Sequence, residues 1–277
     1  MSLKLEELII INDYLEYMQI TDNSMIKRRY KNPSIQEAIF EAKFKHIDFD
    51  YATLGQIFDL LKENYPNKQD IKHIPILVDR AGNLSSVPSS LQVQAPQMRA
   101  IKLDNSELIQ IGPGIVTANK LKYVSWEDFT AAISIALQSY ISIVRPEIST
   151  RIATRYINSF YIPESTVNIS EYFNLSLQIP NNLSDVQAFN LTLLNKFKVA
   201  EYDSEFEIRT KFLSDTLREG EIGNRFILDM DCYITHNVAP IIDKMILIAR
   251  KAHDLLEDVF ESIITDKTRL LMEVINE

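Results

Sequence analysis

Two segments more than a hundred residues apart alternate charged and apolar positions with the two-residue period of a β-strand. In the first, Glu37 and Glu41 share one face and small or aromatic residues occupy the other. In the second, Arg151 and Arg155 share one face. A step of four residues advances a strand by about 13 Å. Two carboxylates and two guanidiniums at this common spacing are therefore predicted to face each other within one sheet.

We expect the strand that carries the two glutamates to lie beside, or one strand away from, the strand that carries the two arginines. Arginine suits such a pair because its planar guanidinium can bind a carboxylate at two points. Two roles are open for this cluster of Glu37, Glu41, Arg151 and Arg155. The pairs fix the register between the two strands, or one arginine stays free to hold an anionic group of a ligand.

The helical period predicts two helices in the first half of the chain. Asp50 is expected to cap the first, and Ser125 the second. Apolar residues recur at helical spacing after both caps, and Pro146 is expected to end the second helix.

A third helix is predicted over residues 240–263, where apolar residues step alternately by three and four positions. Ala249 and Ala252 lie at the centre of this seam and allow another element to approach closely. Packing against the core and a homodimer interface are both compatible with the pattern. A concentration-independent mass near 32 kDa in light scattering would contradict the homodimer hypothesis.

Strands and helices do not alternate strictly, which favours an α+β fold of antiparallel sheets covered by long helices. We interpret residues 1–30 as an N-terminal helical arm, 31–145 as a first α+β half, and 146–277 as a second half that ends in a long helix. Both halves end in a long helix, which raises the hypothesis that they are similar. Further strands are predicted over residues 74–78, 91–93, 98–103, 107–111, 171–178, 188–197, 201–212 and 225–233.

The two charged segments resemble the two best-defined blocks of a sporadically distributed prokaryotic protein family of unknown function. Residues 32–44 are similar to its Asn-Pro-Pro-x-x-Glu-Ala-x-x-Glu-x-x-Phe block, and residues 151–158 to its Arg-x-x-x-Arg-Tyr-x-Asn block. The chain departs from the first block at Ser34, where a second proline is usual, and at Lys43, where arginine is commoner. The resemblance covers most of residues 31–270 and implies a fold but no chemistry.

Composition narrows the class of protein. The 277 residues carry a net charge of −9, and the one dense basic run, residues 27–31, is interpreted as a solvated turn, so nucleic acid is not an expected partner. The single cysteine, Cys232, excludes an internal disulfide and favours a reducing compartment. No apolar run approaches the length that spans a membrane, and the N-terminus lacks a signal peptide pattern. We expect a cytoplasmic protein without a membrane partner.

Residues for catalysis or metal binding are sparse. The chain has four histidines, and its Gly112-Pro113-Gly114 turn lacks the residues of a phosphate-binding loop. Five residues are of the types that bind metal ions and are candidates for a metal site: Asp229, Asp231, His236, His253 and Asp254. No cofactor is expected.

The preferred hypothesis is a non-enzymatic module that binds a protein partner or a small ligand. The sporadic distribution of the resembled family suggests a link to mobile or defence gene clusters. The alternative is a metal-dependent hydrolase or nuclease that uses the five residues above.

Overall fold

The computed structural model describes residues 28–45, 49–71, 76–78, 84–86, 97–175, 190–199, 204–215, 217 and 222–276. The predicted N-terminal arm lies outside the described residues except for its last three positions. The strand predicted over residues 91–93 also lies outside them.

The described residues form five helices and thirteen strands. The helices are α1 (Tyr51–Leu61), α2 (Trp126–Val144), α3 (Ile169–Tyr172), α4 (Ile242–Ile263) and α5 (Asp266–Met272). The strands are β1 (Arg29–Tyr30), β2 (Ile35–Phe44), β3 (Asn67–Asp70), β4 (Ile76–Val78), β5 (Leu84–Ser86), β6 (Met98–Ile101), β7 (Glu107–Gly112), β8 (Ile115–Lys120), β9 (Ser149–Ile162), β10 (Asn190–Val199), β11 (Ser204–Asp215), β12 (Asn224–Ile234) and β13 (Val274–Asn276). Within these residues, no helix combines the length and the apolar character needed to cross a bilayer.

A nine-stranded antiparallel sheet forms the centre of the fold, in the order β10-β11-β12-β9-β2-β8-β7-β6-β3. The prediction of an α+β protein with antiparallel strands is confirmed. Strand β2 pairs with β9, and this pairing joins the strands of residues 31–145 to those of residues 146–277 in one sheet. The strands that carry the two glutamates and the two arginines are therefore direct neighbours.

The chain divides into two compact units. The larger comprises Ser34–Asn168 and Leu177–Leu256 and contains the nine-stranded sheet. The smaller comprises Met1–Pro33, Ile169–Ser176 and Glu257–Glu277. Within the smaller unit, β1 pairs with β13.

One face of the sheet is the core of the larger unit. On β2 the side chains of Ala38, Phe40 and Ala42 are fully buried. On β9 the buried Thr154 donates a hydrogen bond of 3.1 Å to the carbonyl of Ala249 in α4. Helix α2 packs on this face as well, where Asp128 pairs with Lys120 of β8 at 2.7 Å. The opposite face carries the odd positions of β2 and β9, which include the charged cluster.

Helix α4 confirms the seam predicted over residues 240–263, although it begins two residues later, at Ile242. Ala249 and Ala252 are 0% and 1% exposed within a single chain. These two small residues therefore pack against the core of their own chain. Their side chains are not exposed for contact with a second copy.

Local signals placed the other predicted helices correctly. The side chain of Asp50 accepts a hydrogen bond of 2.7 Å from the backbone N–H of Thr53. Helix α1 begins directly after Asp50, at Tyr51. The Ser125 hydroxyl accepts one of 3.2 Å from the N–H of Asp128. Both side chains satisfy N–H groups that lack a partner in the first helical turn.

The strand predicted over residues 171–178 is wrong in its described part. Residues 169–172 form the short helix α3 instead, and Phe173 makes a single bridge to Ile264. Hydroxyls of α5 and its cap satisfy the helical carbonyls: Thr265 donates to the carbonyl of Glu171 at 2.6 Å, and Thr268 donates to that of Tyr172. This long-range capping is not visible in the local alternation of apolar residues.

Strand β8 was not predicted from the sequence. It follows a two-residue turn, Pro113-Gly114, that connects it to β7. Gly114 has a φ of +66°, and a Cβ atom there would lie 3.0 Å from the carbonyl oxygen of Phe44. Only glycine tolerates both the left-handed backbone and this close approach.

Candidate functional site

An open groove lies on the face of the sheet opposite α2 and α4, across strands β2, β9, β12 and β11. Its volume is about 460 Å³. Tyr233 and Thr235 line it together with charged side chains of both signs. The basic residues are Lys43, Arg151, Arg155 and Arg209, and the acidic residues are Glu41, Glu207 and Asp231.

Strand register explains why these side chains converge. Lys43 of β2 lies opposite Arg151 of β9, and Arg155 lies opposite Asp231 of β12. Asp231 in turn lies opposite Arg209 of β11. Because residues opposite each other in a sheet project from the same face, charges from four strands meet on one surface.

Arg151 contacts groove residues from both strands beside it, β2 and β12. One of its guanidinium nitrogens donates to Glu41, and another donates to both carboxylate oxygens of Asp231, at 3.1 and 2.9 Å. The guanidinium carbon lies 4.5 Å from the centre of the Tyr233 ring, in cation–π geometry. Of the four residues in the predicted charge cluster, Glu41 and Arg151 are thus in direct contact.

Arg155 and Glu37, in contrast, do not bond to each other. Arg155 donates from Nε and Nη2 to the two oxygens of Asp229, at 2.6 and 2.7 Å. These bonds raise the pKa of Arg155, although burial opposes the rise. Glu37 accepts a hydrogen bond of 2.7 Å from the side-chain amide of Asn119 on β8. Both residues therefore have other partners.

The two carboxylates considered for a metal site are partners of the arginines. Asp229 is bound at both oxygens by Arg155, and Asp231 is bound at both by Arg151. Burial raises the pKa of Asp231, an effect that outweighs the lowering by Arg151 and Arg155. The pKa of Asp231 is therefore raised by burial and not by a lack of positively charged partners.

The histidine of the metal hypothesis lies on the other face of the sheet. His253 of α4 is 6% exposed, stacks on Trp126 with ring centres 4.6 Å apart, and lies 2.8 Å from the Tyr156 hydroxyl through Nδ1. Tyr156 directly follows Arg155 on β9, so the two side chains project from opposite faces. The core side of the sheet therefore holds His253, and the groove side holds Asp229 and Asp231.

The remaining two residues of that hypothesis add no ligand to the groove. His236 is exposed and follows the end of β12, and Asp254 is half-buried next to His253 on α4. Neither residue lines the groove. The five residues of the metal hypothesis are thus not brought together around one point.

Among the groove residues that sequence reasoning missed are Glu207, Arg209 and Tyr233. The Tyr233 hydroxyl donates to Glu207 at 3.0 Å and accepts a hydrogen bond of 3.3 Å from Arg209. A signal was present, because acidic and basic residues alternate with apolar ones from residue 205 to residue 211. That alternation identifies a charged strand face, but it does not identify the strand beside it.

The second sequence block, residues 151–158, is explained position by position. Its arginines hold the groove carboxylates, and Tyr156 contacts His253 in the core. Asn158 is 1% exposed, accepts a hydrogen bond of 3.0 Å from Ser34 and donates one of 3.2 Å to the carbonyl of Leu228. The block therefore joins β9 to both of its neighbouring strands.

Comparison with known proteins adds no assignment to this geometry. No protein-family model matches the chain, and no curated protein matches it either. The family resemblance of the two sequence blocks stays a prediction. The function proposed for the groove accordingly depends on its own residues and their contacts.

Proposed function

We propose that the chain is a non-enzymatic binding module that holds a polar ligand in the charged groove. The observation that carries the proposal is the groove itself. Its volume of about 460 Å³ falls within the range of about 300–1,000 Å³ typical of small-molecule sites. Its charged groups come from four neighbouring strands of one sheet, a rigid support for a site.

The groups in the groove are held in place before a ligand arrives. Arg151 is fixed by Glu41, Asp231 and the Tyr233 ring. Tyr233 is fixed by its hydrogen bond to Glu207. A site whose side chains are already ordered loses less conformational entropy on binding. Preorganisation of this kind supports a binding role.

The lining residues are less suited to acid–base or nucleophilic catalysis. Histidine and cysteine, the commonest base and the strongest nucleophile, are not among them. The Asp231 carboxylate is occupied at both oxygens by Arg151, and Glu207 receives the Tyr233 hydroxyl. These carboxylates act as anchors for the cations of the groove.

The metal-dependent alternative is not proposed. A hydrolytic site of that type needs its carboxylates and histidines around one ion. Here Asp229 and Asp231 bind arginines on one face of the sheet, and His253 contacts Tyr156 on the other.

A cytoplasmic location belongs to the same proposal. Its support is the single cysteine of the chain, Cys232, which is fully buried on β12. Burial raises the pKa of its thiol and so disfavours the reactive thiolate. A chain without a disulfide suits a reducing compartment.

The proposal is tested by blocking the groove sterically. Thr235 is exposed and lines the groove, so Thr235→Trp fills it with little effect on folding. Thr192→Trp is the matched control, because Thr192 is an exposed threonine of β10 that does not line the groove. The three proteins are incubated with a defined metabolite mixture and dialysed, and retained compounds are quantified by mass spectrometry.

We expect the wild type and Thr192→Trp to retain the same compound at one molecule per chain, unchanged, and Thr235→Trp to lose it. Equal retention by Thr235→Trp would refute the groove as the binding site. Recovery of a chemically converted compound would refute the non-enzymatic part of the proposal.

A further inference from the structure

The carboxylates and the guanidiniums of the groove differ in how much of their hydrogen-bonding capacity is used within the chain. Each carboxylate that faces the groove already pairs with a cation: Asp231 at both oxygens with Arg151, Glu207 with Lys196 and with the Tyr233 hydroxyl, and Glu41 through Oε1 with Arg151 and Lys43. The guanidiniums have donors to spare, because each carries five N–H groups.

Of the three arginines of the groove, Arg209 uses the fewest of its N–H groups in contacts with described residues. Among the described residues, its side chain has one hydrogen-bond partner, the Tyr233 hydroxyl, at 3.3 Å from Nη2. No carboxylate in the described part of the chain lies within ion-pair distance of it, although Asp231 is directly opposite on β12. Arg151 reaches Asp231 from the other side and occupies both of its oxygens. Arg209 is therefore a cation of the groove whose charge is not neutralised by any carboxylate of the described residues.

One further contact, with the ring of Tyr233, gives Arg209 a defined position. Its guanidinium carbon lies 5.7 Å from the centre of the Tyr233 ring, and the same ring receives Arg151 at 4.5 Å. Arg155 adds a second donor to the groove, since its bonds to Asp229 use Nε and Nη2 and leave Nη1 for another acceptor. The lining residues carry four basic and three acidic side chains in all.

We propose that the groove binds an oxyanion, a carboxylate or phosphate group of the ligand, through Arg209 with assistance from Arg155. The inference rests on the proposed binding function and specifies its ligand class. The physical reason is complementarity: spare N–H donors in a planar fork match the two oxygens of a carboxylate or phosphate. A cationic ligand would compete with the cations that Asp231, Glu207 and Glu41 already bind.

The test compares four proteins: wild type, Arg209→Gln, Arg209→Lys and Lys211→Gln. Lys211 is the matched control because it lies two residues further along β11, on the same face, and does not line the groove. Inorganic phosphate, succinate and the diamine putrescine are titrated separately at constant ionic strength. Binding is followed by calorimetry and by the arginine Nε–H signals in NMR spectra.

We expect phosphate or succinate to bind the wild type and Lys211→Gln with similar affinity. Arg209→Gln should weaken this binding at least about tenfold, which corresponds to about 1.4 kcal/mol. Arg209→Lys should fall between the two, because it keeps the charge but loses the planar fork. The oxyanion that binds more tightly identifies the group.

Equal binding by Arg209→Gln and wild type, or binding of neither oxyanion, would overturn the inference. Binding of putrescine alone would overturn it too, while the proposed binding function would stand. The proposed function itself fails on a separate result, the insensitivity of ligand retention to Thr235→Trp.

Discussion

Arg155 binds Asp229 at both carboxylate oxygens, although the residue directly opposite it on β12 is Asp231. Asp231 is bound by Arg151, four residues earlier on β9. Each guanidinium therefore reaches a carboxylate diagonally across the strand pair. Both offsets run in the same direction along β9, by two positions for Arg155 and by four for Arg151, so both ion pairs form side by side and Glu37 lies outside them.

Double-mutant cycles can measure how much the ion pair between Arg155 and Asp229 contributes to the free energy of unfolding. Arg155→Met combined with Asp229→Asn should show a coupling free energy of about 1–2 kcal/mol, because the pair has two short, charge-assisted hydrogen bonds. The value is moderate since the Arg155 side chain is 37% exposed and solvent screens the pair. Arg155→Met combined with Glu37→Gln is the control and should couple by less than about 0.5 kcal/mol. Urea unfolding gives both values, and a stronger coupling to Glu37 would contradict the observed partners.

Asp231 should take up its proton at a higher pH than an ordinary aspartate, whose pKa is 3.8. Because its pKa is raised in the folded state, its contribution to the free energy of unfolding is full below the unfolded pKa and is lost as the pH rises through the folded pKa. An NMR titration of its carboxyl carbon checks the midpoint. Arg151→Met should raise the midpoint further, because Arg151 lowers the pKa of Asp231.

Asp104 provides an internal control for this titration. Hydrogen bonds from Ser106 lower the pKa of Asp104, so its midpoint should fall below 3.8 in the same spectra. A midpoint for Asp231 at or below that of Asp104 would show that the ion pair with Arg151, rather than burial, dominates.

The packing of α4 predicts the cost of a larger side chain at its centre. Ala252→Leu should lower the free energy of unfolding by about 1–3 kcal/mol, because Ala252 is 1% exposed and added atoms in a packed core force neighbouring groups to move. Lys244→Leu on the exposed side of the same helix should change it by less than about 0.5 kcal/mol. Thermal and urea unfolding of both variants make the comparison. Equal stability of the two would place Ala252 at the surface.

A buried ion pair on the core face of the sheet gives the fourth prediction. Lys120 and Glu107 are 5% and 1% exposed, and Lys120 also pairs with Asp128 at 2.7 Å. Burial alone would lower the pKa of Lys120, but its bonds to Asp128 and Glu107 raise it overall. Lys120→Met should cost about 3 kcal/mol, because it removes one partner of a buried pair.

The double variant Lys120→Met/Glu107→Gln separates the charge effect from lost packing. It should be more stable than Lys120→Met alone, since the buried carboxylate is then neutral. Lys102→Met is the matched control: Lys102 also pairs with Glu107, at 3.1 Å, but its side chain is 37% exposed, so its loss should cost less than about 1 kcal/mol. A double variant less stable than Lys120→Met would contradict the electrostatic explanation.

Much of the secondary structure was predictable from local signals. Asp50 and Ser125 cap helices as expected, and the turn at residues 104–106 joins β6 to β7. Local signals failed where a distant element decides the conformation. Residues 171 and 172 were predicted as the start of a strand but belong to α3, because their carbonyls are satisfied by Thr265 and Thr268, almost a hundred residues later.

The sequence by itself determined which side chains share a face. Glu37 and Glu41, and likewise Arg151 and Arg155, were placed together because the two-residue period of a strand is a local property of the backbone. The three–four seam around Ala249 and Ala252 was predictable for the same reason, from the helical period.

Only the tertiary structure decided which faces meet. The pairing of β9 with β12, over seventy residues apart in the chain for Arg155 and Asp229, replaced Glu37 with Asp229 as the partner of Arg155. The pairing of β12 with β11 brought Arg209 to the groove, where none of the described carboxylates pairs with it. Strand order depends on the long-range packing of the whole sheet, so the local periodicity that revealed each charged face could not name its neighbour.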